Sequence, residues 1–317
     1  MNVLVTGGAG FIGANLCRHL AADPAFVHVT ALDDLSTGSE ANLGGVEGVA
    51  LVRGSILDAA LLGDLVAAAD AVVHLAARPS VPRSVADPVA THRVNVDGTL
   101  NLLEASRQVG GKHVVMASSS SVYGANPVLP KHEDLAVMPM SPYAASKASG
   151  EAYARAYANV FGVDVLAFRF FNVFGPYQAA GHAYAAVIPA FVAAALQGHP
   201  LPVHGTGEQT RDFTFVGSVV AVITDALRRR VTHPGPVNLA FGNRVSLLEV
   251  IDLLEGILGT DLARDHLPPR AGDVSDSQAD QRLLRSLFPG TAPVDLGQAL
   301  SSTVEWYRRS LAAPAPR

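Results

Sequence analysis

Val3-Leu4-Val5-Thr6-Gly7-Gly8-Ala9-Gly10-Phe11-Ile12-Gly13 decides how the chain is read. A short apolar, β-branched run passes directly into glycines at 7, 10 and 13. From Phe11 to Ala22 the apolar spacing becomes helical. The order is therefore strand, glycine turn, helix. Glycines allow a tight turn and close backbone approach. The helix that follows offers its unpaired first N–H groups and its positive dipole end to a diphosphate. A second run, Val27–Leu32, ends at Asp33, 20 residues after Gly13. A carboxylate there accepts the hydroxyls of an adenosine ribose and repels a 2′-phosphate, which selects NAD over NADP.

Outward from this unit the pattern repeats. Val49–Val52, Ala71–Leu75, His113–Ala117 and Val163–Phe168 read as strands. They are almost continuously apolar, as strands covered on both faces are. Helical spacing fills Ala60–Ala68, Val96–Val109 and Tyr143–Val160. Alternation of this kind predicts an α/β fold with a parallel sheet between two helical layers. After Arg169 proline and glycine punctuate the chain. Helices are expected at Pro189–Gln197, at Ser218–Arg230 with Ser218 as cap, from the capping box Ser246–Glu249 to Leu258, and at Leu296–Leu311. Val237–Ala240 reads as a returning strand.

Composition narrows the function classes. The 317 residues are 49% apolar and 16% charged, enough for a large core and unlike a disordered chain. A net charge of −5 disfavours a general nucleic-acid or anionic-membrane surface. One cysteine, Cys17, forbids an intrachain disulfide and a cysteine-built metal site. The 11 histidines show no metal-ligand spacing. The longest apolar stretch, Tyr184 to Leu196, is interrupted by Pro189 and is too short to span a bilayer. With no basic, cleavable leader in the opening residues, a soluble cytoplasmic protein is expected.

A second constellation carries the chemistry. Ser141-Pro142-Tyr143-Ala144-Ala145-Ser146-Lys147 sets Tyr143 and Lys147 four apart, on one face of a helix. The strand His113–Ala117 runs out into Ser118-Ser119-Ser120-Ser121, at the sheet edge where ligands bind in open parallel sheets. A phenol ordinarily titrates near ~10. A cation about 4 Å away at an effective dielectric of ~20 supplies on the order of 4 kcal/mol, enough to bring it toward neutrality. Tyr143 then takes a hydroxyl proton while the neighbouring C–H gives hydride to NAD, with Ser119 donating to the same oxygen. Alone, Tyr-x-x-x-Lys is an ordinary surface pair. Its order after the glycine turn and the serine run gives it meaning.

With these motifs in hand, the chain resembles the extended short-chain dehydrogenase/reductase family, in particular its nucleotide-sugar 4-epimerases. The resemblance runs from Thr6–Gly13 to the last helix. It implies a Rossmann-like doubly wound parallel sheet over residues 1–169, to which 211–243 returns. A smaller C-terminal substrate-binding domain is implied in 170–210 and 244–317. It carries over Ser119, Tyr143 and Lys147 as catalytic residues. Gly7, Gly10, Phe11, Ile12, Gly13, Asp33, Ile56, Leu75, Ala76, Ala77 and Asn95 fall on the cofactor side. Ser55 stands where the family usually has an Asp near the adenine. For a sugar diphosphate the resemblance implies Ser119, Ser120, Asn172, Ala186, Val187, Arg211, Arg270, Asp273 and Ser277. The two arginines suit a diphosphate as charge-assisted forks. Relatives pair the helices Val96–Val109 and Tyr143–Val160 across a dimer, so a homodimer is implied.

The same resemblance bears on the reaction. The related 4,6-dehydratases place Asp-Glu directly after the catalytic Ser/Thr, and the decarboxylases a Glu before Val-Tyr-Gly. Here Ser120 and Ser121 occupy those positions. The remaining cycle is oxidation at C4, rotation of the 4-keto sugar and hydride return, with NAD kept between turnovers. Ser277 sits where the family's bulky Tyr restricts the pocket to plain hexoses. It implies tolerance of a 2-acetamido group, and so UDP-N-acetylglucosamine as well as UDP-glucose. UDP-glucuronate and modified hexosamines remain alternatives, as do a nucleotide-sugar 4,6-dehydratase and a cofactor-bound binding protein without turnover.

Overall fold

A computed structural model describes residues 1–180, 186–268 and 276–312. Six strands, β1 (Asn2–Thr6), β2 (His28–Asp33), β3 (Val49–Arg53), β4 (Ala71–His74), β5 (His113–Ser119) and β6 (Val165–Phe170), join Val237–Leu239 in one seven-stranded sheet. Its order is Val237–Leu239, β6, β5, β4, β1, β2, β3, and every pairing is parallel. The apolar runs explain the burial. Val3 and Val5 face one core and Leu4 the other, and Val115 and Val114 divide in the same way. Strand side chains alternate faces, so a sheet covered on both sides needs apolar residues throughout.

Helices Phe11–Ala21 and Val216–Arg229 cover one face through Leu16, Leu20, Val219 and Ile223. Helices Ala59–Ala68, Gly98–Gln108 and Pro142–Phe161 cover the other through Leu62, Val66, Leu102, Leu103 and Ala154. The chain reverses its direction of travel across the sheet between β1 and β4. That opens a crevice at their carboxyl ends, the usual place for a ligand in such sheets. A third apolar core, with Phe191, Val250, Ile251, Leu254, Leu300 and Val304, gathers helices Val187–Leu196, Leu247–Leu258 and Leu296–Ala312.

Local chemistry sets several boundaries. Ser141 caps Pro142–Phe161 by accepting from the Ala144 N–H at 3.1 Å, with Pro142 in the first turn, and Gly162 closes the helix at φ 68°. The capping box forms as expected: Ser246 Oγ accepts from the Glu249 N–H, and Glu249 accepts from the Ser246 N–H at 2.7 Å. Ser218 is not a cap. Its helix starts two residues earlier at Val216, and the buried Ser218 hydroxyl accepts from the Val294 N–H at 3.1 Å. Tertiary packing outweighed the local capping preference there. The helix expected at Val96–Val109 begins at Gly98, because Arg93–Asp97 forms a π-helical turn in front of it.

Candidate active site

The glycine turn is built by contact. Gly7 has φ 70°, and a Cβ there would lie 2.7 Å from the Ala76 N and 2.9 Å from the Leu75 carbonyl carbon. A Cβ on Gly13 would lie 2.1 Å from the Gly7 carbonyl oxygen. Only glycine lets the turn pack on Leu75-Ala76 and close on itself at Gly13. Helix Phe11–Ala21 begins at Gly10 without a side-chain cap, which leaves its first N–H groups to a ligand. Asp33 stands at the end of β2, buried, accepting from the Ala9 N–H at 2.9 Å and the Leu35 N–H at 2.8 Å. Burial pushes its carboxyl up, and those two bonds pull it back. Each oxygen keeps a further lone pair for a ribose hydroxyl. This cradle fits a dinucleotide whose diphosphate meets the helix and whose ribose meets Asp33.

The wall beside it is fixed by a chain of buried hydrogen bonds. The Ala76 N–H donates to Thr6 Oγ1 at 3.3 Å, and Thr6 Oγ1 meets His74 Nδ1 at 2.8 Å. His74 Nε2 meets Thr99 Oγ1 at 3.0 Å, and Thr99 Oγ1 donates to the Asn95 carbonyl at 2.7 Å. Thr99 has spent its only proton, so His74 Nε2 donates and Nδ1 accepts from Thr6. Burial holds the imidazole neutral, its pKa pushed down to about 3. Asn95, in the π-helical turn, accepts from the Arg78 N–H at 2.7 Å and donates to Ser146 Oγ at 3.0 Å. Ser146 in turn donates to the Tyr143 carbonyl at 2.7 Å. A continuous set of bonds thus joins the glycine turn to the helix that carries Tyr143.

At the end of β5, Ser119 and Tyr143 come together, near enough for the Ser119 hydroxyl to favour the ionised phenol. Lys147 Nζ donates to the Ala117 carbonyl at 2.9 Å. Burial raises the phenol, and the Ser119 bond pulls it back. The same burial draws the Lys147 ammonium down to about 8, while the Glu151 carboxylate opposes the fall. In the protein alone, then, desolvation governs Tyr143, against the depression expected from Lys147. A low-dielectric site penalises both charges at once, so the phenolate forms only with all available positive charge beside it. Behind this pair, Glu151 takes both Arg169 Nε at 2.9 Å and Nη2 at 2.8 Å, and also accepts from Ser118. The pair is buried, and Arg169 stacks on the Tyr123 ring.

A cavity of about 220 Å³ opens in the C-terminal half, lined by Asn172, Ala186, Val187 and Arg211 together with His204, Gln209, Phe174 and Phe213. Volumes of ~300–1,000 Å³ are usual for a whole drug-sized ligand, so this space suits part of a nucleotide. Asn172 has φ 31° and donates to the Asp212 carbonyl at 3.4 Å. Ser119, Ser120 and Tyr143 stand outside this lining, at the sheet end. Ser277 is outside it too, but its N–H donates to the Thr210 carbonyl at 3.2 Å, next to Arg211. Arg270 and Asp273 lie outside the described residues. So do Tyr184 and Ala185 of the loop expected over the nucleotide. Ser55 precedes helix Ala59–Ala68, its Oγ accepting from the Leu57 N–H, and Ile56 packs against Gly98.

Several residues here escaped the sequence. His74, Glu151 and Arg169 act through buried bonds between distant segments, which no spacing shows. Asp212, fully buried, accepts from the N–H groups of Gly242 and Ala279, and burial raises its carboxyl to about 7. His204 and Gln209 sit among turn glycines at 205 and 207, the one signal that a binding loop lies there. Among the described residues no cluster of His, Cys, Asp and Glu is arranged to hold a metal ion.

Comparison with known proteins bears on the family and the fold. Residues 3–240 match the family described as NAD dependent epimerase/dehydratase. A UDP-glucose 4-epimerase of Mycolicibacterium smegmatis is 39% identical over 316 residues, covering 97% of this chain and 99% of its own. A dTDP-glucose 4,6-dehydratase of Streptomyces griseus is 37% identical, covering 97% of this chain and 94% of its own. Among solved structures, a UDP-N-acetylglucosamine 4-epimerase from Methanobrevibacter ruminantium, in complex with UDP-N-acetylmuramic acid, superposes with TM-score 0.91. It is 36% identical, and the match covers 98% of both chains.

Proposed function

The chain belongs to the NAD-dependent epimerase/dehydratase family, and within it we propose a UDP-sugar 4-epimerase that interconverts UDP-N-acetylglucosamine or UDP-glucose with its galacto epimer. The observation that carries this reading is the sheet-end cluster. Tyr143, Lys147 and Ser119 gather beside the crevice, with Ser120 and Ser121 where loss of water would need an acid and a base. The buried carboxylate on the same helix, Glu151, is committed to Arg169 and Ser118.

Gly7–Gly13, Asp33 and the Leu75–Ala77 wall would hold NAD, which would supply a reversible hydride acceptor for the sugar C4. The protein's own residues do the rest. Tyr143 takes the O4 proton and returns it, Ser119 donates to the same oxygen, and Lys147 favours the phenolate. Arg211 and Asn172 hold the diphosphate, and Ala186 and Val187 the nucleoside. Arg270, Asp273 and Ser277 complete the substrate side, with Ser277 leaving room for a 2-acetamido group. Residues 1–169 with 211–243 form the cofactor domain, and 170–210 with 244–317 the substrate domain. Exposed Val109, Tyr153 and Val160, on the two helices that relatives pair, support a homodimer. No helix of the described residues is long and apolar enough to cross a membrane.

The test is incubation of the purified protein with each UDP-sugar without added NAD, products read by NMR. Formation of UDP-N-acetylgalactosamine or UDP-galactose is expected. A 4-keto-6-deoxy product formed with loss of water would replace this reading by a dehydratase.

A further inference from the structure

The hydroxyl of Ser121 has no part in the cycle above, yet it stands 2.9 Å from Ser119 Oγ. The Ser121 backbone N–H also donates to that oxygen, at 3.2 Å. These two contacts arise because Ser119 caps the short helix Ser120–Tyr123, which folds Ser121 back over it. The placement is firm. Gly124 ends the turn at φ 46°, and a Cβ on it would lie 1.9 Å from the Met138 carbonyl oxygen, so this loop is pinned against the chain beyond it. Val122 and Tyr123 are buried.

A serine hydroxyl has one proton to give and two lone pairs to fill. The Ser121 N–H fills one lone pair of Ser119 in every state, because an amide only donates. When Tyr143 is a phenolate it only accepts, so Ser119 must spend its proton on it. The Ser119–Ser121 contact then has a single allowed direction: Ser121 donates and Ser119 accepts. When Tyr143 is a neutral phenol, it can donate to Ser119, and the Ser119 proton turns to Ser121. The three hydroxyls reverse together as the tyrosine gains or loses its proton.

We propose that Ser121 is a positioning residue of the proton-transfer site, whose hydroxyl donates to Ser119 and so frees the Ser119 proton for Tyr143 before substrate arrives and for the sugar oxygen once it is bound. The proposal rests on the assignment of Tyr143 as the base. Donation into Ser119 strengthens the charge-assisted bond from Ser119 to the phenolate more than the reversed chain strengthens the neutral one. Ser121 therefore favours the ionised tyrosine.

Other groups around Tyr143 do not reproduce this effect. Lys147, on the same helix, is held on the Ala117 carbonyl. Glu151, a turn further, is paired with Arg169 of β6. His74 of β4 is neutral, and Tyr123 gives its proton to Asn238 at 2.6 Å.

The test compares wild type, Ser121→Ala and Ser121→Thr as NAD-bound proteins. Tyr143 is titrated by ultraviolet difference spectroscopy against the same proteins carrying Tyr143→Phe, and kcat is followed against pH. Cooperative strengthening of about 10–30% per bond predicts that Ser121→Ala moves the phenol titration and the acid limb of kcat upward by about half a pH unit. Turnover near neutrality then falls about threefold, by the same half-unit conversion. Ser121→Thr keeps a hydroxyl and restores both. Unchanged titration in Ser121→Ala, or an equal shift in Ser121→Thr, overturns the proposal. The spectroscopic titration needs no substrate. A wrong sugar would silence the kinetics and leave this readout intact, so the two failures are distinguishable.

Discussion

Replacing Lys147 by methionine keeps the aliphatic stem and removes the ammonium. The cost follows from the site. Tyr143 is already pushed up by burial, and the Ser119 bond only partly offsets it. One cation about 4 Å from a phenolate, at an effective dielectric of ~20, contributes about 4 kcal/mol. At about 1.36 kcal/mol per pH unit that is about three units of phenol acidity. Where the phenolate fraction limits the rate, Lys147→Met loses about a thousandfold in kcat near neutral pH. The loss shrinks as pH rises, because hydroxide ionises the phenol without help. Wild type behaves in the opposite way at high pH. Its Lys147 titrates at about 8, so its ammonium is present below that pH and lost above it, and kcat declines on the alkaline side. The assay is kcat against pH for both proteins, with bound NAD measured alongside. A loss of the same factor at every pH, with NAD retained, would refute the electrostatic argument, since it would show that Lys147 acts through its shape.

Glu151→Gln breaks a buried pair whose side chains are 4% and 9% exposed, and is expected to cost about 3–5 kcal/mol in denaturant unfolding. Glu40→Gln breaks a pair 65% and 58% exposed and is expected to cost about 0–1 kcal/mol. Equal costs would contradict the burial argument. Arg211→Ala is expected to raise KM for the UDP-sugar at least tenfold, about 1.4 kcal/mol, with a smaller change in kcat, because the diphosphate is held alike in ground and transition states. A kcat loss with unchanged KM would place Arg211 elsewhere. Asp212 has its folded pKa raised to about 7, so the folded state binds the extra proton, and stability declines as pH rises from about 4 to 7. Asp212→Asn is expected to flatten that decline in thermal melts taken across the interval, and an unaltered slope would assign it to another group.

The sheet was legible because its strands carry their own signature. Val3, Leu4 and Val5 are all apolar since each is buried, on alternating faces, and only a sheet between two layers asks for that. The helix of Tyr143 was legible at both ends, from Ser141-Pro142 and Gly162. Short pairings were not. Val173–Phe174 with Thr214–Phe215, and Thr210–Arg211 with Val245–Ser246, hold two residues per strand, too few for a period to appear. Helices Val81–Ala86 and Pro88–His92 were hidden for the same reason, each about one turn long and opened by a proline. Within the site, Tyr143 and Lys147 share a helix face and announce themselves by spacing. The meeting of Glu151 with Arg169 depends on helix Pro142–Phe161 packing against β6. The balance of charge at Tyr143 depended on burial, a property of the assembled fold that a residue list does not contain.

The strand Val237–Leu239 pairs with β6 after the chain has crossed the other core. For engineering, this splits the third core between two stretches of chain, one before the returning strand and one after it. A chimera spliced at one point near Arg169 would strip β6 of its outer neighbour and take away Val216–Arg229, which covers Leu16 and Leu20. Exchanging specificity between such proteins therefore calls for two separate junction sets, one on each side of the returning segment, with the segment itself kept from the cofactor parent.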